Sequence, residues 1–96
     1  MPYALVEDVA ASWEQYEPIA TALAQYAPPG LIVHAAGPTD EGFRIIEVWE
    51  SEEAWRRFAA ERLIAESRDA GGVRPIVRTL RPEHMVYGEQ PGREIR

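Results

Sequence analysis

Two side chains in this 96-residue chain combine proton-transfer chemistry with a setting that would make it useful: Glu47 and His34. Glu47 sits inside Ile45-Ile46-Glu47-Val48-Trp49, a run of strand-forming apolar residues. Apolar surroundings destabilise a charged carboxylate, so its proton affinity should rise and it becomes a donor or acceptor near neutral pH. The same residue would serve equally as half of a structural ion pair with an Arg across a subunit boundary. His34 lies in the apolar run Leu31 to Ala36. Paired with a carboxylate, an imidazole abstracts or relays an acidic proton; alone, it is a hydrogen-bonded core residue. Trp49, Trp13, Tyr16 and Phe58 are candidate walls of a substrate pocket, or simply core. Glu7 either joins that pocket from the first strand or faces water. His84 falls in Pro82-Glu83-His84-Met85, and no close ligand spacing links it to His34 and Glu47 as a metal triad. Cysteine is absent, so the chain has no thiolate nucleophile, zinc–cysteine site or disulfide. It carries no phosphate loop, nucleophile elbow or nucleotide fingerprint. The expectation is a site with neither cofactor nor metal.

The elements that must position these groups follow from periodicity and punctuation. Tyr3 to Val9 reads as a strand. Ser12 with Gln15 forms a capping box, opening a helix that runs to about Tyr26. Its apolar face holds Trp13, Tyr16, Ile19, Ala20, Leu23 and Tyr26. Pro18 should kink or delay this helix, and Pro28-Pro29-Gly30 ends it. Leu31 to Ala36 suits a strand buried on both faces. Gly37 to Gly42 is a turn by composition, and Phe43 to Trp49 is the next strand of an antiparallel hairpin. Ser51 caps a second helix with Glu52 and Glu53 in its first turn and Trp55, Phe58, Ala59 and Leu63 as its stripe. Glu52 with Arg56 and Glu53 with Arg57 are i,i+4 pairs. Gly71-Gly72 closes the helix. Val73 to Tyr87 holds the last strand, and Pro75 and Pro82 mark it as an edge or a bend.

Strand, helix, strand, strand, helix, strand is the split β-α-β pattern of an α+β, ferredoxin-like domain with an antiparallel four-stranded sheet. One domain is expected over 1–88, with a polar tail over 89–96. Both helices cover one sheet face, yet the middle strands are apolar throughout, so a second copy of the sheet should cover the other face and make a homodimer. Strand alternation puts Phe43, Ile45, Glu47 and Trp49 on one face. A symmetric turn sets Ala36 opposite Phe43 and His34 opposite Ile45, one diagonal step from Glu47; a one-residue change of register would move His34 to the face of Arg44 and Ile46. The formal net charge of −6 argues against nucleic acid and anionic membrane surfaces as partners. Met1-Pro2-Tyr3-Ala4-Leu5 has neither a basic n-region nor a long apolar run, so a cytoplasmic location is expected.

The run Gly42-Phe43-Arg44-Ile45-Ile46-Glu47-Val48-Trp49-Glu50-Ser51-Glu52-Glu53-Ala54-Trp55 resembles the antibiotic-biosynthesis-monooxygenase group of dimeric α/β-barrel proteins: Glu-x-Trp ends the third strand, followed by a short acidic cap and Ala-aromatic on the second helix. Gly30 to Asp40, with His34 on the second strand, is similar to a sub-branch of that group. The resemblance implies cofactor-free chemistry on a small apolar, aromatic or polyketide-like metabolite. Haem-degrading relatives use an Asn on the first strand, a Trp ending the third and a His on the second helix. Only Trp49 matches, since the chain has no Asn and Phe58 stands about where the His would be. Two reactions remain, oxygenation of an electron-rich carbanion and cyclisation or isomerisation through an enolate. Both begin with loss of a proton, which His34 and Glu47 would take. A non-catalytic dimeric ligand-binding protein is the alternative.

Overall fold

The structure, a computed structural model, describes residues 1–69 and 74–88, leaving aside the side chains of 62–69. Its elements are β1 (Tyr3–Val9), α1 (Trp13–Gln25), β2 (Leu31–Thr39), β3 (Gly42–Trp49), α2 (Glu52–Asp69) and β4 (Ile76–Leu80). The strands form one antiparallel sheet in the order β2-β3-β1-β4. β3 separates β1 from β2, and β1 separates β3 from β4, so each helix bridges two strands with a third between them. This is the ferredoxin-like α+β fold expected from the element order. No helix among the described residues is long and apolar enough to cross a membrane.

Alternation along the strands decides what each face does. Tyr3, Leu5 and Glu7 of β1 and Phe43, Ile45, Glu47 and Trp49 of β3 are all buried beneath the helices. α2 lays Ala54, Trp55 and Phe58 on Tyr3, Leu5, Leu31 and Trp49. α1 lays Trp13, Tyr16 and Ala20 on Phe43, Ile45 and Ala36. The opposite face carries Val33 and Ala35 of β2, Ile46 and Val48 of β3, and Ala4 and Val6 of β1 in register. Arg44 caps one end of it, donating from Nε and a second nitrogen to the two oxygens of Asp8, at 2.6 and 3.1 Å. That hydrogen bond, before the guanidinium charge, holds the Asp8 carboxyl below the usual carboxylate range.

β2 was expected to be buried on both faces, and within one chain it is not: Val33 is 47% exposed, because both helices lie on the other side. The strand also continues through Gly37, Pro38 and Thr39, leaving only Asp40 and Glu41 as the turn. An antiparallel edge tolerates Pro38 and needs nothing from Gly37 but extension. Ile32 is bulged out of the ladder, since Leu31 opposes Trp49 and Val33 opposes Val48. The extra residue lets Leu31 and His34, three apart in sequence, share the buried face.

The first helix departs from its expected pattern in three ways. Ser12 occupies the N-cap position without a side-chain cap; its carbonyl instead accepts the Gln15 N–H at 3.1 Å. The helix runs through Pro18 without a break. Ile19 and Tyr26, placed on the apolar face by spacing, are exposed, because only the N-terminal half of the helix lies over the large side chains of β3. On α2 the expected cap is present, with Ala54 N donating to Ser51 Oγ at 3.1 Å. Glu52 accepts from Arg56 Nε at 2.9 Å and from Arg81 at 2.8 Å. The Leu63 side chain, Gly71 and Gly72, Val73 and the tail over 89–96 lie outside what the structure describes. β4 is the edge strand that its flanking prolines implied.

Two glycines permit these approaches. A Cβ on Gly30, whose φ is +89°, would lie 2.6 Å from the Ala54 Cβ, and a Cβ on Gly42, φ +151°, would collide with the carbonyl oxygen of Val9. Gly30 therefore fixes how closely α2 approaches the start of β2, and Gly42 how closely the hairpin approaches the end of β1.

Candidate functional site

The register brings His34 directly opposite Glu47. The diagonal placement expected from a symmetric six-residue turn is corrected by two residues, because the turn is two residues long. A shift of two preserves the face, so the pair still points under the helices. Glu47 is 1% exposed, and the His34 side chain is 14% exposed.

A chain of hydrogen bonds runs through the pair. Trp49, two residues along the same strand face, donates from Nε1 to Glu47 Oε1 at 3.0 Å. Glu47 Oε2 lies 2.8 Å from His34 Nδ1. Beyond the imidazole, Tyr16 on α1 places its hydroxyl 3.4 Å from His34 Nε2. An ionised Glu47 only accepts hydrogen bonds, so opposite a neutral His34 it would place the imidazole proton on Nδ1 and leave the Nε2 lone pair. That is the tautomer in which a carboxylate-oriented His acts as a base. The apolar surroundings inferred for Glu47 thus contain two well-placed donors.

The aromatic residues divide into two groups on either side of this polar seam. Trp49 is fully buried and packs on Phe58 with ring centroids 5.3 Å apart. Tyr16 stacks on Phe43 at 4.8 Å, and Trp13 meets both, at 5.7 and 6.2 Å. Of the expected pocket residues, Trp49 and Phe58 therefore fill the space under α2, while Trp13 and Tyr16 belong to the α1 side with His34. Glu7 is buried on this same face, because β1 is a central strand; it opposes Ile45 and is a diagonal neighbour of Glu47. His84 is exposed beyond β4 and joins none of them. No cluster of three metal-ligating side chains occurs among the described residues. Two overlapping clefts, of about 270 and 450 Å³, lie on the β4 side, lined in common by Tyr3, Glu52 and Arg81.

Phe43 was not among the expected site residues, although strand alternation had already placed it on the face of Glu47. The hydrogen-bond roles of Trp49 and Tyr16 were also missed. The first was within reach, since residues i and i+2 of a strand share a face. The second depends on how α1 sits over β2, which spacing does not encode.

No protein-family model matches the sequence, and no curated protein is detectably similar to it. Solved structures are similar. SnoaB from Streptomyces nogalater, a cofactor-independent oxygenase, superposes with a TM-score of 0.60 at 16% identity, over 88% of this chain and 94% of SnoaB. PA3566 from Pseudomonas aeruginosa gives 0.62 at 18% identity, over 86% and 95%. A monooxygenase from the gene ActVA-Orf6 of Streptomyces coelicolor, in complex with nanaomycin D, gives 0.54 at 24% identity, over 92% of each chain. At these identities the likeness establishes a shared fold.

Proposed function

We propose that this chain is a homodimeric enzyme of the antibiotic-biosynthesis-monooxygenase group that oxygenates a small aromatic or polyketide-like molecule without a cofactor. The observation that carries the reading is the His34–Glu47 pair, 2.8 Å apart, with a buried carboxylate whose other oxygen is tied to Trp49. His34 takes an acidic C–H proton from the substrate, and Glu47 stabilises the imidazolium that results. The substrate carbanion passes one electron to dioxygen, the two radicals combine to form a C–O bond, and the peroxide loses water. A methylene and one dioxygen thereby become a carbonyl and one water. The fold shared with SnoaB and the ActVA-Orf6 monooxygenase supports this choice of reaction.

The test is oxygen uptake with dithranol, a dihydroxyanthrone whose activated methylene is oxidised to a coloured quinone. Uptake above the protein-free rate, with one dioxygen per quinone and no loss on adding a chelator, is the expected result. Enzyme-dependent loss of the methylene proton with no oxygen uptake would replace oxygenation with the acid/base cyclase or isomerase reading. A second reading, a non-catalytic ligand-binding dimer, is favoured by the Trp49–Phe58 packing that occupies the space beneath α2. Neither proton loss nor oxygen uptake with any anthrone or quinol would leave that reading standing.

Self-association is part of the same proposal. The helix-free face, with Val33, Ala35, Ile46, Val48 and Val6, is apolar and half open, and a contiguous apolar face of this kind marks an interface. Sedimentation at micromolar concentration should show a species of about twice 10.8 kDa. Ile46→Asp, which places a charge in the middle of that face, should return the protein to a folded monomer. A wild-type species near 10.8 kDa alone would overturn the dimer.

A further inference from the structure

We propose that helix α1 is a lid over the His34–Glu47 pair, which undocks to admit the flat apolar substrate and closes on it. The inference rests on the reading of that pair as a proton-transfer unit. It goes beyond that reading by giving the substrate its route in.

What α1 covers sets the problem. Beneath it lie Phe43, Ile45 and Ala36. The Tyr16 ring lies 28° from the imidazole plane of His34 with centroids 6.4 Å apart, and Nε2 faces the helix across 3.4 Å. Glu47 is buried, and the two clefts beside β4 are lined by neither member of the pair. A planar molecule that stacks on Phe43 and Ile45 and reaches Nε2 needs the space that α1 fills. Lifting the helix bares a flat apolar floor with the pair at its side.

The helix is also built to lift. It is thirteen residues long, and isolated helices of that length are marginal in water. Its position therefore depends on docking, yet Tyr16 is its one buried side chain, with Trp13, Ala20 and Leu23 half-buried. Pro18 removes an interior N–H from its ladder, and Ser12 supplies no side-chain cap. By contrast, α2 is capped by Ser51 and tied through Glu52 to Arg81, the residue after β4, at 2.8 Å. The chain is held just beyond each end of α1: Leu31 N donates to Pro28 O at 3.2 Å, and Gly42 packs against the carbonyl of Val9. Motion thus falls on α1 and the few residues flanking it, while the sheet stays in place. Segments with few buried contacts and exposed backbone hydrogen bonds are those that open locally.

The lid is tested by backbone hydrogen exchange, which needs no substrate, and by variants at two exposed positions of α1, Pro18 and Ala22. Amides of α1 should exchange at least about 10²-fold faster than those of β3, through an opening that leaves the sheet folded. Pro18→Ala restores the missing donor and should slow α1 exchange by about 10-fold or more, whereas Ala22→Gly should speed it by about 5-fold. Association of dithranol without oxygen, followed by tryptophan fluorescence, should track these changes: slower in Pro18→Ala and faster in Ala22→Gly, with added protection of α1 in the complex. Exchange of α1 only at the rate of global unfolding, which wild type alone reports, overturns the lid. So does an association rate that ignores both variants. In either case oxygen uptake by wild type leaves the proposed function standing. Neither binding nor turnover by wild type of dithranol or any other anthrone or quinol overturns both.

Discussion

Replacing Trp49 by Ala should cost about 3–5 kcal/mol of folding stability, the range for truncating a buried Trp. The indole is fully buried, packs on Phe58, and shares its cluster with Tyr3, Leu5 and Leu31. Its removal leaves a cavity between α2 and the sheet that rigid neighbours on both sides cannot close. It also strips a donor from Glu47 Oε1, and hydrogen bonds to charged groups contribute about 1.5–3 kcal/mol. A small domain has only about 5–15 kcal/mol in total, so the melting temperature should fall by more than about 10 °C. Trp49→Phe separates the two effects: it retains most of the ring and loses only the N–H, so it should be much milder in stability while still disturbing Glu47. An unchanged melting temperature in Trp49→Ala would show that the indole is not the core of the α2 side.

Element order, strand alternation and proline punctuation carried most of the architecture. Tyr3 to Val9 is a strand with the bounds its composition suggested, and the faces of β3 follow from period-two alternation alone. What composition obscured was the hairpin. Gly37, Pro38 and Thr39 have turn chemistry, yet they continue β2, because an edge strand pairs on one side only and tolerates a missing N–H. The apolar run of β2 likewise said nothing of the bulge at Ile32, which arises from matching Leu31 to Trp49 and His34 to Glu47 at once. On α1, helical spacing selected Ile19 and Tyr26 for the core, but a helix longer than the surface it covers leaves its far turns exposed.

The site was legible in its residues and less so in its wiring. Glu47 and His34 stood out as titratable groups in apolar runs, and the hairpin was bound to bring them near one another. Their direct opposition required the turn length, which composition misjudged by an even number of residues, so the face survived the error. Trp49 was singled out for its bulk, whereas its N–H is what engages the carboxylate. Tyr16 belongs to a different element, and its approach to His34 depends on the packing of α1 against Phe43 and Ala36. No local signal records such a contact.

Glu47→Gln should abolish turnover while preserving shape, and the reason lies in the tautomer of His34. An ionised Glu47 opposite a neutral His34 receives two donors, the Trp49 N–H on one oxygen and the His34 Nδ1–H on the other. An amide offers one acceptor and one donor of nearly the same size. With its oxygen toward Trp49, its NH₂ faces Nδ1, which must then accept, and the imidazole proton moves to Nε2. The nitrogen that should take the substrate's proton is then already protonated, and the counter-charge for the imidazolium is gone. Loss of turnover by about 10²–10⁴-fold is expected, in a protein that remains folded. His34→Phe should lose a comparable amount by removing the base while filling its space. The double variant should be little worse than the more damaged single variant, because members of one catalytic unit are not additive. The tautomer change has its own readout in the imidazole nitrogen shifts of Glu47→Gln, which need no substrate. A purely structural pair would behave differently: Glu47→Gln would lower the melting temperature and leave turnover per folded molecule near wild type. That outcome would remove His34 and Glu47 from the chemistry.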